Sequence, residues 1–109
     1  MKLRVVDDII ATVGRVHRLA KLVARHDNDL AKQMKRSSAS VGLNAGEGLY
    51  GRDGNRTARL ETAMCSGRET IVALRIAGAA DYLEAHVVAE EIDALDRIVA
   101  TLYKLAYRQ

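Results

Sequence analysis

Gly46-Glu47-Gly48-Leu49-Tyr50-Gly51 has the spacing G-x-G-x-x-G, in which glycines let a backbone turn approach a pyrophosphate. That chemistry needs a strand before the glycines and a helix opening at them. Here a helical pattern precedes them and a polar loop follows, so the small residues from Ser37 to Gly51 read better as a close-packed helix and its terminus. Gly48 or Gly51 is then expected to supply the left-handed residue that ends the helix. Three histidines, His17, His26 and His86, are the only imidazoles. None has an acid three residues before it, and no His-x-x-x-His pair exists, so neither a di-iron nor a zinc spacing is present. Cys65 has no His near it in sequence to activate it, and is expected to be a buried small hydrophobe. Glu47 and Glu69 are the carboxylates one would ask to act in catalysis. The better expectation joins Ser66 and Glu69 in a buried or interfacial hydrogen-bond network, with an ion pair to Arg68 or Arg75 as the alternative. No catalytic residue, metal or cofactor is expected.

The strongest candidate chemistry is electrostatic. Arg15, Arg18, Lys21 and Arg25 form a stripe at helical spacing, and Lys32, Lys35 and Arg36 follow on the next helix. Antiparallel neighbours could merge these seven cations into one patch that holds phosphates without reading sequence. No aromatic residue interleaves with the patch, so stacking on single-stranded bases is not indicated there.

These residues must be positioned by helices. Proline is absent, the aromatics are four tyrosines, and no segment alternates with period two. Apolar residues recur at three- and four-residue spacing in four segments: Leu3 to His26, about Asp29 to Gly48, about Arg56 to Tyr82, and about Val87 to Tyr107. Expected core positions are Val6, Ile9, Ile10, Val13, Val16, Ala20 and Val23; then Leu30, Met34, Ser37, Val41 and Ala45; then Leu60, Met64, Ile71, Leu74 and Ala79; and last Val88, Ile92, Leu95, Val99, Leu102 and Ala106. Asp27 or Asn28 is placed to cap the second helix. Acids at Glu90, Glu91, Asp93 and Asp96 suit the positive end of the fourth. Short loops between four amphipathic helices predict an all-α, antiparallel up-down-up-down four-helix bundle, one domain over residues 1–109.

Composition narrows the function classes. The chain has 109 residues and a net charge of +3, unevenly spread: residues 1–60 carry +6 and residues 61–109 carry −3. Such a split suits binding to a polyanion, or head-to-tail binding between copies of the chain. One cysteine excludes an internal disulfide, and no 18-residue apolar run spans a membrane. With no visible signal peptide, a cytoplasmic location is expected.

Val41-Gly42-Leu43-Asn44-Ala45-Gly46-Glu47-Gly48-Leu49-Tyr50-Gly51-Arg52 resembles the V-x-x-N-I-A-E-G-x-G/S-R pattern of the "four helix bundle protein" or intervening-sequence protein family. Some members of that family are encoded within insertions in bacterial large-subunit ribosomal RNA genes. Val41, Asn44, Glu47, Gly48 and Arg52 match; Ala45 and Gly46 replace the family's isoleucine and alanine. Ala63 to Glu69 is similar to its A-x-G-S-x-x-E, with Cys65 in place of glycine. Leu30 to Ser37 is similar to L-x-x-Q-L-R-R-A, and Tyr82-Leu83 to the G-Y-I/L that closes the third helix. The resemblance implies a four-helix bundle, assembly into a ring-like homopentamer, and no assigned enzymatic activity. It also implies that Asn44 and Glu47, with Gly48, Arg52, Ser66 and Glu69, hold helix ends or subunit contacts. Accessory proteins of diversity-generating retroelements, similar in fold, bind nucleic acid and a reverse transcriptase through a basic surface. From charge and resemblance together, the expected function is a non-enzymatic homo-oligomeric scaffold that binds RNA, DNA or a nucleic-acid enzyme. The alternative is a protein-interaction module whose charge split serves subunit assembly.

Overall fold

A computed structural model describes residues 2–51 and 54–108, with side chains from residue 4. It consists of four helices: α1 Lys2–Val23, α2 Asn28–Tyr50, α3 Arg56–Ala79 and α4 Ala85–Tyr107. No strand occurs among the described residues. α1 packs on α2, α2 on α3, α3 on α4, and α4 returns to α1. This order around the axis, with short connections, is the up-down-up-down bundle expected from the apolar spacing. The body measures 43 × 22 × 18 Å.

The helix ends follow local chemistry. Asp27 caps α2, its side chain accepting from the Leu30 backbone N–H at 3.0 Å. α2 runs through Gly46 and Gly48 and stops at Gly51, whose backbone is extended (φ −70°, ψ 154°). The left-handed residue expected at Gly48 or Gly51 is therefore absent there. It is found instead at the end of α3, where Asp81 has φ 63°. The Tyr82 N–H reaches Ala77 O and the Asp81 N–H reaches Gly78 O, the paired bonds of a Schellman stop. Aspartate tolerates this conformation better than most side chains. The first turn of α4 holds no acid, so Glu90 to Asp96 lie beyond the range of the dipole they were expected to complement.

Close approach, not turning, is what the glycines of α2 and α3 supply. A Cβ on Gly48 would stand 3.0 Å from Leu60 Cδ2 and 3.2 Å from Arg56 O, so α3 could not lie where it does. A Cβ on Gly67 would stand 2.9 Å from Val99 Cγ2 of α4. Gly46 has nothing within 4 Å of its would-be Cβ and serves no such role.

The apolar core falls into two blocks. One gathers Val16, Ala20, Met34, Leu74 and Leu95 near the α1–α2 turn. The other gathers Ile9, Val41, Leu60, Met64 and Leu102 toward the opposite end. Between them lies a waist of buried hydroxyls, Thr12, Ser37, Ser38, Ser66 and Thr70, while the buried Glu91 sits on α4 between Val88 and Leu95 of the first block. No buried side-chain nitrogen or oxygen among the described residues lacks a partner, which is the condition under which such a layer can be tolerated.

Several expected core positions shift by one register step. The buried stripe of α4 is Val88, Glu91, Leu95, Ile98 and Leu102, with Ala94 beside it; Ile92, Val99 and Ala106 lie on its flank. Ile10 and Ala79 are exposed, and Ala77 takes the buried place at the end of α3.

Candidate nucleic-acid interface

Six of the seven cations proposed from sequence, Arg18, Lys21, Arg25, Lys32, Lys35 and Arg36, are exposed. They lie on the parts of α1 and α2 nearest the turn that joins these two antiparallel helices. His17 Nε2 stands 3.2 Å from the Lys35 carbonyl and fixes the level at which the two helices meet. His26 stacks on Tyr82 with ring centroids 4.9 Å apart and planes 4° apart. No group of three His, Cys, Asp or Glu side chains gathers as metal ligands would among the described residues.

Arg15 stands apart from the other six. Its Nε donates to both Glu91 carboxylate oxygens, at 2.8 and 3.1 Å, and its Nη2 donates to Thr12 Oγ1 at 3.1 Å. It is turned across the α1–α4 seam and its charge is taken up there. Glu91 is 6% exposed, and without this partner its charge would be buried unpaired. Sequence reasoning placed Glu91 among the acids suited to the positive end of the fourth helix. The available signal was its position three residues after Val88 and four before Leu95, on the apolar stripe itself.

The motif residues divide in the same manner. Asn44 Nδ2 donates to Ser40 O and Ser40 Oγ, both at 3.0 Å, and Ser40 Oγ meets Ser66 Oγ at 2.8 Å. Thr70 Oγ1 donates to Ser66 O at 2.8 Å and stands 2.7 Å from Ser37 Oγ, within hydrogen-bond reach. Asn44 and Ser66 thus belong to a chain of hydroxyls that joins α2 to α3. Ser40 and Thr70 were not singled out from sequence, although both lie four residues from a named member. Glu69 is exposed and makes no hydrogen bond or ion pair among the described residues, so the network expected of Ser66 and Glu69 includes Ser66 alone. Glu47 is likewise exposed and unengaged. Arg52 lies outside the described residues. Cys65, expected to be buried, is exposed on α3, because the inward position beside it is filled by Met64. Gly46, Gly48 and Gly51 sit on a continuing helix and its cap, with the Gly51 N–H bonded to Glu47 O at 2.9 Å, so no phosphate turn forms there.

Two apolar surfaces accompany the charged one. Toward the α1 N-terminus, Val6, Val13, Ala39 and Gly42 line a groove between α1 and α2, flanked by Ile10 (61% exposed) and Leu43 (72% exposed). On the opposite seam, between α3 and α4, Tyr103 and Tyr107 are exposed together.

An antiparallel four-helix bundle with a polar waist and a set of exposed cations on α1 and α2 is the class that these features define. The sequence profile of the 23S rRNA-intervening sequence proteins matches residues 1–104, and the chain belongs to that family. It is similar in fold to a crystal structure from Bacteroides thetaiotaomicron VPI-5482, of a protein of unknown function from the S23 ribosomal protein family. The two share 20% identity with a TM-score of 0.87, over 94% of this chain and 98% of that one. No functionally curated protein is significantly similar in sequence. No helix among the described residues is long and apolar enough to cross a membrane.

Proposed function

We propose that this protein is a non-enzymatic, homo-oligomeric helical scaffold of the cytoplasm. Its basic α1–α2 face contacts RNA or DNA, or an enzyme acting on nucleic acid such as a reverse transcriptase. The observation that carries the reading is the set of six exposed cations on α1 and α2 near the turn that joins them, with no carboxylate paired to any of them among the described residues. Cations so placed attract phosphate without base specificity; six phosphate contacts would lose about a thousandfold in affinity between 50 and 200 mM salt. The combined variant Arg18→Glu, Lys21→Glu, Arg25→Glu is expected to abolish binding to a blunt duplex in fluorescence anisotropy. All three side chains are exposed, so circular dichroism should remain that of the parent. Unchanged duplex binding would remove this face from the function.

A second reading is favoured by the apolar groove at Ile10 and Leu43, which large exposed apolar side chains make costly to leave in water. Copies of the chain would pack on it, with the α1–α2 cations of one against the acidic row Glu90, Asp93 and Asp96 of the next. The pentamer implied by family resemblance is the expected stoichiometry. Light scattering in rising salt tests the charge part: a mass that falls to monomer assigns the charge split to assembly.

A further inference from the structure

The α3–α4 seam brings together what sequence spacing keeps apart. Near the C-terminal end of α4, Tyr103 and Tyr107 pack edge to face, with centroids 4.7 Å apart and planes at 64°. The Tyr107 hydroxyl donates to the Glu61 carboxylate of α3, which anchors that ring and raises its phenol pKa above the ordinary value. Tyr103, 57% exposed, leans on this anchored neighbour and presents its ring to solvent. Two adjoining clefts, of about 440 and 310 Å³, meet at Tyr103 and Arg68. The larger has an apolar floor of Val99 and Ala100 and is rimmed by Arg68, Lys104 and Arg108.

We propose that this seam is a second nucleic-acid site, which takes an unpaired base of a single strand on the Tyr103 ring and its flanking phosphates on Arg68, Lys104 and Arg108. An exposed ring held from behind is a stacking platform whose ordering cost was met on folding, and every base offers a π-face to it. The cleft volumes fall within the roughly 300–1,000 Å³ typical of small-ligand clefts, wide enough for a base with its sugar. Charge decides the kind of strand. Asp96 and Glu61 also line the two clefts, so three cations face two carboxylates and the local charge is only +1. Phosphate attraction alone is therefore weak here, and affinity must come from a stacked base. A duplex, whose bases are already stacked, cannot supply one. The site is on the seam opposite the basic α1–α2 face and does not rest on it.

The test is fluorescence anisotropy with a labelled short oligouridine strand and a labelled blunt duplex. Tyr103→Ala should weaken the single strand about tenfold and leave the duplex within twofold. Tyr103→Phe should keep the wild-type affinity for the single strand, since stacking uses the ring and not the hydroxyl. In the Arg18→Glu, Lys21→Glu, Arg25→Glu background, where the α1–α2 face no longer holds phosphate, Tyr103→Ala should still weaken the single strand about tenfold. The proposal is overturned if the wild type does not bind the single strand, or if Tyr103→Ala binds it unchanged. It is also overturned if Tyr103→Phe loses as much as Tyr103→Ala. A Tyr103→Ala protein whose mass by light scattering differs from the parent's would assign the ring to a subunit contact instead.

Discussion

Replacing Arg15 by alanine should cost more stability than replacing Glu91 by methionine, although both remove the same ion pair. Glu91 is a carboxylate with its side chain 8% exposed, and Arg15 is a guanidinium 42% exposed. Arg15→Ala strands the buried charge; Glu91→Met strands the exposed one, which water can take up. Breaking a fully buried pair costs about 3–5 kcal/mol. Because Arg15 is nearly half exposed, its removal admits water to one side of the carboxylate, and the cost falls to about 2–3 kcal/mol. Glu91→Met loses the pair but fills the site with a flexible apolar chain, so about 1 kcal/mol is expected. With unfolding entropy of about 2.1 cal/mol/K per residue, each kcal/mol moves the midpoint of this chain by about 4 °C. Thermal unfolding at one fixed protein concentration should therefore show Arg15→Ala about 8–12 °C below the parent and Glu91→Met about 4 °C below. The double variant should recover most of the Arg15→Ala loss. If Arg15→Ala lies within 0.5 kcal/mol of the parent, or unfolds no earlier than Glu91→Met, the pair does not hold the α1–α4 seam.

Glycines two residues apart should respond in opposite directions in urea unfolding: Gly46→Ala gains about 0.5–1 kcal/mol in open space, while Gly48→Ala loses about 1–3 kcal/mol against Leu60 and the Arg56 carbonyl. Asp27→Ala should lower stability by about 1 kcal/mol through loss of the α2 cap, with the helical circular dichroism at low temperature little changed. Thr70→Val should cost about 1 kcal/mol, because Ser37 loses its buried partner while volume is nearly kept. Spectrophotometric titration of the tyrosines should show Tyr107 ionising above the ordinary 10.0, and Glu61→Gln should bring it back toward that value. The folded state holds this proton more tightly than the unfolded chain does. Its contribution is thus complete below pH 10 and is lost as pH rises through the raised value.

The fold was legible because four apolar stripes with period near 3.6 and three short polar connections admit few other arrangements. Asp27 was legible as a cap because it precedes a basic amphipathic run. Residues whose role depends on a second helix were harder to read. Nothing local marks Arg15 as different from Arg18, since only the position of Glu91 on α4 separates them. Three- and four-residue spacings alternate, so Ile92 and Val99 fit the apolar pattern of α4 as well as Glu91 and Ile98, and the carboxylate was assigned to the helix dipole. The rule that the left-handed stop falls on glycine failed twice: the cap of α2 is extended, and the left-handed residue that ends α3 is an aspartate. The tyrosine cleft was invisible because Arg68 and Tyr103 are far apart in sequence and meet only when α3 and α4 lie antiparallel.

The polar waist has an evolutionary consequence. Two apolar blocks separated by a satisfied hydroxyl layer share few packing constraints, so a volume change at Leu74 need not be answered at Leu60. Each block can drift and compensate within itself, provided the layer between them keeps its partners. A chain built this way can travel far in sequence on a single backbone, as a pair at 20% identity and a TM-score of 0.87 has done. Substitutions should then be most tightly restricted at mid-height, where hydroxyls must find each other, and freest toward the two ends.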